Sequence, residues 1–183
     1  HWGLLPRVLP DLPVIAGEAT ARIQTAVANI LGWPVPFQAT DYLCHRHPMR
    51  VGPFTITPFL ADHSAFDAYS LLVEAGGRRL FYSGDLRGHG RKAAVFEALV
   101  NHPPAGVHTL LLEGSSLGRL NSEAHFATEH DIEALLLAHF QATHGLALTF
   151  VSAQNIDRVV SVFRAAKRSG RRLVVDLYAA EVL

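Results

Sequence analysis

The chain has 183 residues, of which 49% are hydrophobic and 17% are charged, a composition typical of globular proteins. Sixteen Lys and Arg side chains balance sixteen Asp and Glu side chains, which argues against a surface that coats nucleic acid or membranes but leaves room for a local basic patch. The single cysteine, Cys44, excludes an intramolecular disulfide, and the apolar runs are shorter than the ~20 residues of a membrane span. We therefore expect a cytoplasmic protein without a membrane partner.

The first half of the chain predicts helix mixed with antiparallel strands. The patterns indicate a short strand at 12–17, a helix over 18–32, and a half-exposed strand over 51–64 that leads to His63. The proline-broken stretch 33–48 is typical of a loop or an edge strand. Two apolar strands flank "AGG" at 75–77, and glycine supplies the positive φ that such turns need, which predicts a hairpin.

The second half predicts alternating helices and strands. We expect helices over 90–102, 122–145 with Ser122 as its cap, and 156–170, and strands over 107–113, 146–151 and 171–181, the first of these strands being buried. From Ser122 onwards the order helix–strand–helix–strand is typical of a parallel α/β layer. We therefore predict a domain boundary near Gly118.

Three predicted strands deliver a polar side chain into a loop at their ends. These side chains are His63 in "ADHSA", Asp85 in "YSGDLR" and Glu113 in "LLLEGSS". An ionised acid at the end of an apolar strand is costly unless a cation or hydrogen-bond donors compensate it. Imidazole and carboxylate together suit Zn²⁺, or Mn²⁺ or Fe²⁺ with more oxygen ligands. The pattern favours a metal site on one rim of a sheet.

The same stretches resemble a known family. "ADHSAFDAYSLLVEAGGRRLFYSGDLRGHGRK" (61–92) is similar to the third and fourth metal motifs of the metallo-β-lactamase fold, with His63 and Asp85 in the ligand positions. His1, at the start of "HWGLLPRVLP", resembles the last histidine of that family's His-x-His-x-Asp-His motif. "LLLEGSSLGR" and "FVSAQNIDRVVSVFRAAKRSGRR" resemble the β-CASP branch, which includes ribonuclease J and the cleavage-and-polyadenylation nucleases. Glu113 falls where that branch carries its acidic motif.

The resemblance implies an α/β fold in two parts. Residues 1–118 would be part of the αββα sandwich of a metallo-β-lactamase domain, and residues 119–183 would begin an inserted, parallel α/β β-CASP domain. The earlier residues of the histidine motif and the branch's later motifs are absent from this sequence. We therefore expect the chain to be a fragment of a longer protein that is inactive on its own.

The resemblance also implies a chemistry, namely phosphodiester hydrolysis of RNA, or less readily DNA, at two zinc ions, with manganese as an alternative. His63 and Asp85 would hold one ion, and Asp85 would bridge to a second ion bound by His1. The metals would lower the pKa of a shared water and stabilise the transition state. Glu113 would orient a histidine that protonates the leaving oxygen, which makes Asp85 and Glu113 the candidate catalytic residues.

Two further regions are candidates for substrate contact. The loop after Asp85 is basic, and we predict contacts from Arg87 and His89, although such residues are more often a solvated loop and helix start. "FVSAQN" enters a helix whose N-terminus would attract phosphate, so Ser152 and Asn155 are candidates as well. The simpler interpretation is that one of these two side chains caps the helix.

Several alternatives stay open. A metallo-hydrolase of small esters, lactones or thioesters could use the same fold, and a homo-oligomer is not excluded. A non-catalytic binding module is favoured if Asp85 pairs with Arg87 or Arg91 instead of a metal. "GSSLG" matches the Gly-x-Ser-x-Gly elbow of serine hydrolases but lacks a helix directly after the serine. "CHRH" at 44–47 is a weak candidate for a separate zinc site.

Overall fold

The computed structural model describes residues 12–115 and 125–183. Four predicted features lie outside these ranges: His1, the serine of the Gly-x-Ser-x-Gly match, the predicted cap Ser122, and the predicted domain boundary near Gly118. The division of the chain into two domains therefore stays a prediction.

A five-stranded mixed sheet carries the candidate site. Its strands lie in chain order and are β3 (Met49–Val51), β4 (Phe54–Leu60), β5 (Tyr69–Ala75), β6 (Arg78–Tyr82) and β7 (Thr109–Leu111). The first four pair antiparallel, and β7 joins β6 in parallel. The predicted mixed α/β class is thus confirmed.

The hairpin between β5 and β6 forms where the sequence predicted it. Gly76 and Gly77 have φ values of 54° and 73°, the left-handed conformation in which glycine meets no Cβ clash. This turn fixes the register, which pairs Ala75 with Arg78 and places Leu72 opposite Phe81. Both Leu72 and Phe81 are buried.

A smaller two-stranded parallel sheet precedes the five-stranded one. It contains β1 (Val14–Ala16) and β2 (Ala39–Tyr42), which are connected through helix α1 (Glu18–Leu31). The predicted strand and helix are confirmed, and α1 ends at Gly32 with φ 64°. The stretch predicted as a loop or edge strand contributes β2.

In the described ranges, four helices follow, and the second begins later than predicted. They are α2 (Ala93–Asn101), α3 (Glu129–Ala142), α4 (Ile156–Arg168) and α5 (Leu177–Val182). The predicted start of α3 near Ser122 is wrong, because Thr128 and Asp131 form a reciprocal capping box at the observed start. Helices α3 and α4 pack together around Phe140, Val162 and Ala165.

Two predicted strands are wrong in the described part of the chain. Residues 146–151 and 171–176 join neither sheet, and the rest of the second stretch forms α5, whose start is capped by Asp176. Both stretches are apolar on successive residues, as in strands covered on two sides. Most of their residues are exposed, however, and Leu148 and Phe150 are 87% and 108% exposed.

The strand before Glu113 also departs from the prediction. It forms as β7, but Leu110 and Leu111 are 58% and 49% exposed where burial was expected. β7 lies at the end of the strand order, so β6 is the only described strand that pairs with it. No helix among residues 12–115 and 125–183 is long and apolar enough to cross a bilayer.

Candidate metal centre

The sheet brings His63 and Asp85 together. His63 follows β4 and Asp85 follows β6, and both strands pair with β5 between them. The distance from His63 Nε2 to Asp85 Oδ2 is 3.9 Å, and the two side chains are 31% and 47% exposed. Two potential metal ligands therefore converge at one accessible place.

Gly84 shapes the turn that presents Asp85. Its φ is 59°, and a Cβ added there would lie 3.1 Å from the carbonyl oxygen of Tyr69. Both the left-handed backbone and the close approach of Tyr69 favour glycine at this position.

Replacing Gly84 by alanine should therefore destabilise the protein by about 1–2 kcal/mol, the cost of a left-handed residue with a Cβ. Urea denaturation followed by circular dichroism measures the change in the free energy of unfolding. Gly145→Ala is the matched control, because a Cβ at Gly145 would meet nothing within 4 Å and its φ lies outside the left-handed range. Equal effects of the two substitutions would show that the Gly84 turn is not constrained.

Ser83 connects this turn to the loop that carries Glu113. It is fully buried, its backbone N–H donates to the Leu111 oxygen at 2.9 Å, and its hydroxyl oxygen accepts the backbone N–H of Glu113 at 2.9 Å. The hydroxyl of Ser70 donates to the Ser83 oxygen at 2.6 Å. The sequence analysis missed Ser83, although a serine directly before the glycine and acid of a turn is a signal for such a role.

The carboxylate of Glu113 is held locally. Its Oε2 accepts the backbone N–H of Ser115 at 3.0 Å and the Ser115 hydroxyl at 2.7 Å. This arrangement fits the simpler interpretation, in which hydrogen-bond donors of the same loop compensate the carboxylate of Glu113. The catalytic role of Glu113 stays a prediction.

The environment of His63 favours a neutral imidazole. Burial lowers its pKa below the ordinary 6.5, and the charges of Arg87 and Lys92 lower it further against the opposing effect of Asp85. The backbone N–H of Ala65 donates to Nδ1 at 3.1 Å, so the ring proton lies on Nε2 and faces Asp85. Neutral imidazole is the form that binds metals.

The pair fits two ligands of one ion. The separation of 3.9 Å is shorter than the sum of two metal–ligand bonds of about 2.1 Å each. Ligation through Nε2 requires its proton to move to Nδ1, at the expense of the Ala65 hydrogen bond. Within residues 12–115 and 125–183, no group of three or more His, Cys, Asp and Glu side chains is arranged to hold a metal.

A cleft of about 710 Å³ opens beside His63 and Asp85 and also contains two other predicted site residues, Ser152 and Asn155. Its remaining lining residues come from α1, the 64–69 loop, the end of β6 and the 152–155 segment: Thr20, Ile23, Gln24, Ser64, Ala65, Phe66, Asp67, Ala68, Tyr69, Tyr82, Gly84 and Gln154. The structure thus gathers predicted residues from distant parts of the chain. The contribution of α1 had no signal in the sequence.

Asn155 caps helix α4. Its side-chain oxygen accepts the backbone N–H of Arg158 at 3.0 Å, and its own backbone N–H donates to the Ser152 oxygen at 3.0 Å. The capping interpretation is confirmed for Asn155. Contact of Ser152 and Asn155 with substrate stays a prediction.

The basic loop after Asp85 is bound to carboxylates of α3 and α4. Arg87 forms an ion pair with Asp157 at 2.5 Å, and its side chain is 17% exposed. Arg91 forms an ion pair with Glu133 at 2.8 Å. Both acids are buried, so these contacts anchor the loop to the helices.

Asp62 organises the same loop from the other side. It is 1% exposed and accepts the backbone N–H groups of Gly90 at 2.7 Å and Lys92 at 3.0 Å. A Cβ at Gly90 would lie 2.2 Å from Asp62 Oδ1, which explains the glycine. His63 was predicted as a site residue from "ADHS", whereas Asp62, the residue before it, was not.

Arg87 and His89, the two residues of the basic loop that were predicted to contact substrate, both have partners within the protein. The guanidinium of Arg87 already has carboxylate partners, so a phosphate would have to compete with Asp157. The ring of His89 stacks on Phe126 with centroids 5.2 Å apart, and burial lowers the pKa of His89. Their contact with substrate stays a prediction.

Comparisons with known proteins give distant likenesses. No family model matches the chain. Ribonuclease J from two strains of Mycobacterium tuberculosis, CDC 1551 and H37Rv, is 26% identical over 189 aligned residues, which cover 94% of this chain and 31% of each relative. The chain thus spans about a third of the length of these relatives.

Among solved structures, the crystal structure of a protein of unknown function from Enterococcus faecalis V583 has a similar fold. Its TM-score is 0.77 at 21% identity, over 94% of this chain and 43% of that one. This likeness concerns the fold alone. The chain is therefore a mixed α/β protein with distant sequence similarity to ribonuclease J.

Proposed function

We propose that the protein is a metal-dependent hydrolase that cleaves phosphodiester bonds in RNA. The observation that carries the proposal is the convergence of His63 and Asp85 at an open cleft. The similarity to ribonuclease J supports RNA as the substrate class. RNA would then be the partner, in the cytoplasm.

His63 and Asp85 would be metal ligands, with Asp85 bridging to a second ion held by His1. Zinc suits an imidazole–carboxylate set, and manganese is the alternative. Divalent ions held there would lower the pKa of a water towards neutrality and offset the charge that develops at phosphorus.

The chain's own residues would hold this arrangement in place before substrate arrives. Gly84 and Ser83 fix the turn that carries Asp85, and Ser83 also fixes the backbone of Glu113 beside it. Glu113 would then act as a positioning carboxylate, after exchanging its Ser115 contact for a histidine. Such prior organisation is what precise catalytic geometry requires.

The ion pairs of the basic loop would join two domains. If residues 1–118 form the metallo-β-lactamase part and residues 119–183 begin the β-CASP part, Arg87 and Asp157 belong to different parts. Contacts between them would align the metal ligands with the 152–155 side of the cleft.

Removing metal from the protein should abolish RNA cleavage. A labelled single-stranded RNA is incubated with the longer protein that we expect to contain this chain, before and after treatment with a chelator, and then after addition of Zn²⁺ or Mn²⁺. We expect cleavage to disappear with the chelator and to return with one of the two ions. Cleavage that persists in excess chelator would contradict a metal-dependent mechanism.

A small-molecule metallo-hydrolase is the second candidate. The observation in its favour is that Arg87 and Arg91 are engaged with buried carboxylates, which weakens the case for a phosphate-binding loop. The chelated and metal-loaded protein is therefore also tested on a panel of esters, lactones and thioesters. Metal-dependent turnover of one of these without RNA cleavage would favour this candidate.

A further inference from the structure

Gln24 carries a buried acceptor that has no protein partner. The residue lies on α1, is 5% exposed and lines the cleft beside Asp85. Its Oε1 has no hydrogen-bond partner among the described residues. Buried polar atoms are nearly always paired in native proteins, so this oxygen can accept a hydrogen bond from a water or from a bound molecule in the cleft.

Neighbouring polar groups in the cleft are already engaged. The hydroxyl of Thr20 donates to Asp67, which also accepts the backbone N–H of Thr20 at 3.2 Å. The amide nitrogen of Gln154 donates to the Tyr178 hydroxyl at 2.9 Å. Gln24 differs from these neighbours because its Oε1 is a hydrogen-bond acceptor without a donor among the described residues.

Two aromatic side chains in the cleft are exposed. Phe66 is 60% exposed and Tyr82 is 45% exposed, and both line the cleft. Exposed aromatic rings of this kind are the surfaces on which proteins stack the bases of single-stranded nucleic acid.

Away from the proposed metal ligands, the charge of the cleft disfavours phosphate. Besides His63 and Asp85, the lining residues that the structure describes include the carboxylate Asp67 and contain no lysine or arginine. A nucleobase is uncharged, offers N–H donors on its edge and has a flat face for stacking. A nucleobase therefore suits the lining of this cleft better than the charged phosphate backbone of a nucleic acid does.

We propose that the cleft binds one nucleobase of the RNA substrate, with Gln24 accepting a hydrogen bond from the base edge and Phe66 or Tyr82 stacking on its face. The proposal rests on the proposed function, because it assumes that RNA reaches Asp85. It assigns recognition of a base to α1 and the 64–69 loop.

The test compares two RNA probes in the presence of a chelator, which prevents cleavage. One probe is a fluorescent oligouridylate of ten nucleotides, and the other is an oligomer of the same length without bases. We expect Gln24→Leu and Phe66→Ala each to weaken binding of oligouridylate by about tenfold, in keeping with the contribution of one stacked base. Binding of the abasic oligomer should be weaker and unchanged by either substitution.

Gln141→Leu is the control, since Gln141 is exposed on α3 and should change neither affinity. Because the Phe66 ring is exposed, Phe66→Ala should leave the fold intact. This variant therefore still tests the proposal if Gln24→Leu perturbs folding. Equal effects on both probes, or none on either, would overturn base recognition. If oligouridylate does not bind but the longer protein that we expect to contain this chain cleaves RNA when loaded with metal, only this inference fails. If that protein does not cleave RNA either, the proposed function fails with it.

Discussion

Replacing Asp85 by asparagine in the longer protein that we expect to contain this chain should reduce metal-dependent RNA cleavage by more than about 100-fold. Residues that only support metal ligands cost 10–100-fold when they are lost, and a ligand that bridges two ions should cost more. Asparagine keeps the size of the side chain and one acceptor oxygen but loses the charge that offsets the ions. Asp85 is 47% exposed, so the free energy of unfolding should change by no more than about 0.5 kcal/mol.

Glu97→Gln is the matched control for Asp85→Asn. Glu97 is exposed on α2, and the substitution removes the same charge at a site outside the cleft. Initial rates on labelled RNA and urea denaturation are measured for both variants. Turnover by Asp85→Asn within tenfold of the unmodified protein would refute the bridging role.

The second large effect concerns stability. Replacing Asp157 by alanine should destabilise the protein by about 3–5 kcal/mol, the usual cost of removing one partner from a buried ion pair. Asp157 is 4% exposed and lies 2.5 Å from Arg87 and 3.6 Å from the ammonium of Lys92. It also accepts the backbone N–H of Arg91 at 3.0 Å. Without it, two partly buried cations lose a shared counter-charge.

Asp157→Asn separates the charge from the hydrogen bond. The amide oxygen can still accept from Arg91, so the loss of stability should lie between zero and that of the alanine variant. Glu97→Ala is the exposed control, with an expected change within about 0.5 kcal/mol. A loss below 1 kcal/mol for Asp157→Ala would mean that the ion pairs do not anchor the loop.

Local signals in the sequence predicted their structures well. The two glycines Gly76 and Gly77 specify the hairpin, because few other residues adopt its backbone. Gly32 ends α1 for the same reason. Since β4 and β6 lead directly to His63 and Asp85, the central pair of the site could also be predicted.

Partners that are distant in sequence could not be predicted. Apolar runs such as 146–151 have the composition of strands, but pairing depends on a neighbouring strand that periodicity does not reveal. Asp62 and Asp157 are ordinary acids in the sequence, and only the fold places them against the 87–92 loop. The unpaired oxygen of Gln24 is likewise a product of tertiary packing.

The most direct test of the account is the metal content of the purified protein, measured by elemental analysis together with that of Asp85→Asn. We predict about two zinc or manganese ions per molecule of the longer protein that we expect to contain this chain, and a clear loss of metal in its Asp85→Asn variant. Protein that binds no divalent metal, with or without Asp85, would contradict the assignment of His63 and Asp85 as ligands.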